Sequence, residues 1–103
     1  MLLYLDVLEH ILPKDEDIFI KNSIASINEN GIFIAGMPSV ESQLYASKQS
    51  KEGHVNCKSG EKFKEEMKKY FHNVFLFSMN DEVIHTGFAP MSQYVIVLCT
   101  GKK

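Results

Sequence analysis

Met1-Leu-Leu-Tyr-Leu-Asp-Val-Leu-Glu-His-Ile11 opens the chain, and its reading decides the rest. Leu2 to Leu5 form an apolar run too short and too uniform for a half-exposed strand. Such a run reads as a strand buried on both faces, as in a parallel sheet. It leads directly into Asp6-Val7-Leu8-Glu9-His10-Ile11, so an acid and a histidine stand at its carboxyl end. Open α/β sheets bind their ligands at that end. A hydrophobic strand starting at Met1 is also expected to lack the layers that would bury it, so the chain reads as the second half of a larger fold.

The remaining sequence fills in that frame. Pro13 breaks the chain, and Asp15, Glu16 and Asp17 suit the positive end of a helix. Ile20, Ile24 and Ile27 recur at helical spacing until Asn30-Gly31 supplies a left-handed stop. Ile32 to Ala35 reads as a second strand, ended by a Gly36-Met37-Pro38-Ser39 turn. Val40 to Cys57 is polar and weakly periodic, and a loop of that length in a compact domain is usually functional or mobile. Ser59 caps a helix with the apolar face Phe63, Met67, Tyr70 and Phe71, and Asn73 ends it. Val74 to Phe77 is a third strand, Asn80-Asp81 a turn, and Gln93 to Cys99 a fourth strand.

The order is therefore β-α-β-α-β-β over a single domain, residues 1–103. Strand–helix–strand crossovers are right-handed, so two crossovers stepping the same way place both helices on one face. The last strand has no helix before it and is expected antiparallel to the third. One sheet face and the free edge of the first strand are then uncovered. Self-association through that strand is expected.

Composition narrows the function classes. Hydrophobic residues make up 45% and charged residues 23%, which is globular usage with enough apolar material for one core. A net charge of −2 argues against nucleic acid or an anionic membrane as partner. Lys58, Lys62, Lys64, Lys68 and Lys69 are interleaved with Glu61, Glu65 and Glu66, and read as a solvated helix face. Cys57 and Cys99 are far apart and form no CxxC, so reduced thiols and a cytoplasmic location are expected. No apolar run approaches the about 20 residues that span a bilayer, and the N-terminus lacks the pattern of a signal peptide.

Leu5-Asp6-Val7-Leu8-Glu9-His10-Ile11 resembles the post-strand-four motif of class I S-adenosylmethionine-dependent methyltransferases, of the type 11/12 kind. The order of the remaining elements is similar to the second half of such enzymes, over essentially the whole chain. The resemblance implies a partial Rossmann-like methyltransferase fold. Its four-stranded mixed sheet would have the order 4-5-7-6, two helices on one face and a C-terminal antiparallel hairpin. It also implies methyl transfer from S-adenosylmethionine to a small-molecule or sugar-like acceptor, with Leu5 and Asp6 lining the amino-acid end of the cofactor. The family's glycine-rich turn and ribose-binding acid belong to strands that would precede Met1. The glycines present, Gly31, Gly36, Gly53, Gly60, Gly87 and Gly101, form no GxG. The chain is thus expected to be inactive alone, binding the cofactor weakly or not at all, and to pair with an N-terminal half or with itself.

Methyl transfer needs proximity and sometimes a base. His10, His54 and His85 are the candidate catalytic bases, because imidazole titrates near neutrality. His54 and His85 lie in loops that would overhang the carboxyl end of the sheet, so both are substrate-side candidates, with Tyr45 beside them. Asp6 could equally cap the following turn. No metal site is expected. Some RNA methyltransferases of this broad class hold a cation with Glu and His after this strand, but Glu9 and His10 are adjacent. Their side chains would point about 100° apart on a helix. A metal-dependent RNA enzyme also fits poorly with the acidic net charge. The alternative to an enzyme half is a small α/β oligomerisation or binding module.

Overall fold

The computed structural model describes residues 1–103. Two helices form where the local signals ask for them. α1 (Pro13–Ala25) has proline in its first turn, where the missing N–H costs nothing, followed by Asp15 and Glu16. α3 (Gly60–Met67) starts at Ser59, whose side chain accepts from the Lys62 N–H. Between them, Val40 to Cys57 is not an irregular loop. It contains a 3-10 turn at Glu41–Tyr45 and the short helix α2 (Lys48–Gly53), capped by Ser47. A parallel bridge between Ser39 and Lys58 closes this excursion at its base.

The strands are longer and more numerous than the apolar runs suggest. β1 (Leu2–Leu5) is parallel to β2 (Ile32–Pro38), and β5 (Tyr94–Lys102) runs antiparallel between β2 and β3 (Phe71–Asn80). A fifth strand, β4 (Val83–His85), pairs antiparallel with the end of β3 across the Asp81 turn. The sheet order is β1-β2-β5-β3-β4. Gly36-Met37-Pro38 is strand rather than turn, because each of the three pairs with β5 as far as Pro38–Tyr94. Phe71 to Asn73 belong to β3 rather than to the preceding helix. The helix closes at Met67, which frees Phe71 to stack on Phe33 at 5.5 Å in the core.

One face of the sheet carries the core. Ile20 and Ile24 of α1, Phe63 and Met67 of α3, and Phe33, Ala35, Met37, Val95, Val97 and Cys99 from the strands form one buried cluster with Leu8. Alternate strand residues point the other way, where no helix lies. Leu3 and Leu5 are each 49% exposed, so β1 is not buried on both faces. Its Leu2 and Tyr4 pack inward, Tyr4 against Phe19 and Phe33.

The lysine-rich segment also departs from a purely solvated face. Lys58 is 3% exposed. Its ammonium is held by Glu16 at 3.0 Å, Glu66 at 2.7 Å and the Asn56 amide oxygen at 3.1 Å. A buried ammonium persists when its hydrogen-bonding capacity is met in this way. The cluster joins the first turn of α1 to the last turn of α3.

Candidate functional site

The carboxyl end of β1 turns sharply. Asp6 takes a left-handed φ of 60°, and its N–H donates to the Gly36 carbonyl at 3.1 Å, extending the β1–β2 ladder by one rung. Val7 then leads into a single 3-10 turn, Leu8–His10. Leu8 anchors this turn in the core and Glu9 is buried beside it, while His10 is exposed. Leu5 and Asp6, the expected cofactor-side residues, stand at this end and line none of the clefts described for the chain. The Tyr94 phenol lies against Asp6, and burial together with that carboxylate pushes its pKa up.

The segment before Lys58 folds back onto the same turn. The Asn56 N–H donates to the Glu9 carbonyl at 3.0 Å, and the end of α2 is thereby set beside His10. His10 Nδ1 is 2.7 Å from the Gly53 carbonyl oxygen. The next residue, His54, brings its ring centroid to 5.0 Å from that of His10, and its Nδ1 is 2.9 Å from Gln43 Oε1. One ligating atom from each of Glu9, His10 and His54 lies within 4.8 Å of the other two. Glu9 and His10 were expected to diverge, as on a regular helix. The tighter 3-10 turn and the arrival of His54 from α2 bring the three groups together instead.

Glu9 is the unusual member. It is 1% exposed, yet neither carboxylate oxygen has a hydrogen-bond partner. Burial, reinforced by the charge of Asp6, raises its pKa above the ordinary carboxylate value, while the dipole of its own backbone N–H, which makes no hydrogen bond to it, and the two imidazoles pull the other way. Cys57 is close enough to feel it: burial first, and then the Glu9 charge, push its thiol up to about 11. Both cysteines are free.

The other expected residues divide. Tyr45 is 90% exposed at the end of its 3-10 turn, and shares a shallow cleft of about 350 Å³ with Gln43, Ser50 and His54. The sequence expectation thus pairs two residues that the fold brings to one depression. His85 is not brought there. It sits on β4, at the opposite edge of the sheet from β1, and its Nδ1 accepts from the Gly87 N–H at 3.0 Å. Four inter-strand steps of about 4.8 Å separate the two edges, far beyond shared chemistry at one centre. Glu9, weighed as a metal ligand and set aside because it adjoins His10, does meet it here, and Tyr94 was missed as the neighbour of Asp6. A lone glutamate in an apolar run was one available signal, while nothing local marks Tyr94.

A scan against protein-family models, a search of curated proteins and a search of solved structures find no match to this chain.

Proposed function

We propose that these residues form the acceptor side of an S-adenosylmethionine-dependent methyltransferase of Rossmann-like fold, acting on a small-molecule or sugar-like acceptor. The observation that carries the reading is the strand arrangement. An antiparallel β5 lies between β2 and β3, with β1 parallel to β2 at the edge. That arrangement supports reading β1, β2, β5 and β3 as the order 4-5-7-6 implied by the resemblance, with β4 as a fifth strand the resemblance does not include. The residues of this chain fit one wall of a cofactor site only. Leu5 and the turn at Asp6 offer backbone at the carboxyl end of β1, but no glycine-rich turn is present in the sequence. When bound, the cofactor would supply an electrophilic methyl group. On the acceptor side, His54 is half-buried in the cleft with Tyr45, placed to take a proton from an acceptor hydroxyl or amine. His10 neighbours His54 and stands ready for the same task.

The glycine-rich half of the pocket then lies outside these residues. The test is the DNA upstream of the Met1 codon. A reading frame encoding a strand followed by GxGxG supports the enzyme half. Co-expression of the two segments is then expected to give S-adenosylmethionine binding that neither shows alone. Tight cofactor binding by the isolated chain in isothermal titration would overturn the half-pocket reading. The second reading, a non-enzymatic oligomerisation module, is favoured by the uncovered apolar sheet face, and absence of such an upstream frame would select it.

A further inference from the structure

We propose that Glu9, His10 and His54 form a binding site for a divalent transition-metal ion, with Zn2+ the best fit. The inference stands on the geometry of these residues, and an imidazole whose Nε2 lone pair holds the ion is not at the same time a base for an acceptor proton.

The first observation is convergence. One ligating atom of each residue lies within 4.8 Å of the others. A tetrahedral ion about 2.1 Å from each ligand sets its ligand atoms about 3.4 Å apart, so closure needs movement of little more than an ångström. His54 lies just past the end of α2, an element of six residues with no buried member, so it can make that movement.

The second observation is the Glu9 carboxylate. It is buried with both oxygens unpartnered, a costly arrangement for an acid without a cation. The ion pairs of the chain use Lys21, Lys58, Lys62 and Lys68 with other acids, and none reaches Glu9.

The third observation concerns the imidazole tautomers. A carbonyl or amide oxygen only accepts, so Nδ1 of His10 donates to the Gly53 carbonyl and Nδ1 of His54 donates to Gln43 Oε1. In each neutral ring the lone pair is then on Nε2. Metal-binding histidines are commonly held in this way by an oxygen on the far nitrogen. Two imidazoles and one carboxylate suit Zn2+ rather than Mg2+ or Ca2+, which prefer all-oxygen surroundings. Three protein ligands leave one position for water or another small ligand.

The experiment is titration of the metal-stripped full chain with Zn2+ by calorimetry, and with Co2+ by visible absorption. One Zn2+ per chain in the low micromolar range or tighter is expected, with the intense visible bands of four-coordinate Co2+. His54→Ala and Glu9→Gln should each weaken Zn2+ binding at least tenfold. Gln43→Ala, which removes only the group orienting His54, should weaken it about tenfold. His72→Ala and His85→Ala should leave it unchanged. Circular dichroism checks folding, and His54→Ala decides the matter if Glu9→Gln does not fold. The proposal is overturned if no saturable one-to-one Zn2+ binding is found in the micromolar range. It is equally overturned if binding survives His54→Ala undiminished, or is lost in the His72 or His85 variant instead.

Discussion

Gly36 has no Cβ, and the end of the sheet is built on that fact. A Cβ there would lie 2.6 Å from Tyr94 Cε1 and 3.1 Å from Leu5 Cδ2. The absent side chain lets Tyr94 lie diagonally across β2 and reach Asp6 from β5. Gly36→Ala should therefore cost about 1–3 kcal/mol through overpacking and release Tyr94 from Asp6. Chemical denaturation measures the first effect. The second appears as a fall in the Tyr94 pKa towards the ordinary phenol range, read by ultraviolet titration against a Tyr94→Phe reference. An unchanged phenol titration in a destabilised variant would separate packing from the Asp6 contact. The glycine was legible in the sequence as the end of an apolar run. That it lies within a strand was not, because its requirement comes from a tyrosine 58 residues away.

α1 and α3 are held together at their edges by polar contacts as well as by the core. Lys58 bridges Glu16 and Glu66, and the Tyr70 hydroxyl donates to Asp17. The Tyr70 hydrogen bond, followed by Lys21, holds the Asp17 pKa below its ordinary value. A carboxylate with a depressed folded-state pKa contributes stability above its unfolded pKa and loses it as pH falls through the folded value. Asp17→Asn should therefore lower the melting temperature at pH 7. The gap between variant and parent should narrow as pH falls from about 4 towards 2. Parallel melting curves across that range check it, and a gap independent of pH would place the effect elsewhere. The sequence marks these helices by Pro13, the acids after it and the Ser59 cap. It misassigns Lys58 to a solvated face because charge alternation records composition, whereas burial depends on which acids meet the lysine in space.

The whole molecule is a sheet with its helices on one side. Leu3, Leu5, Ile32, Phe75 and Ile84 remain at least 38% exposed. The 33 strand residues cover about 500 Å² in projection at about 3.3 Å rise and 4.8 Å spacing. A sheet face of that extent, carrying these exposed apolar residues next to an unpaired β1 edge, favours association of one copy with another. Concentration-dependent light scattering should show dimers or larger species of the isolated chain, reduced by Leu3→Lys together with Phe75→Lys. A stable monomer at high concentration would sink the prediction. No helix is long and apolar enough to cross a membrane.

The sequence by itself determined the local elements: an apolar strand leading into an acid and a histidine, a proline-started helix, a serine-capped helix, and strands separated by glycine and asparagine turns. These depend on neighbours a few residues apart, and their chemistry is written in the chain. The tertiary structure decided which of those residues meet. It took His85 to the far edge of the sheet and brought His54 to His10. It buried Glu9 without a partner and Lys58 with three. Such outcomes depend on strand order and on where a long excursion docks, and each is set by contacts between residues far apart in sequence.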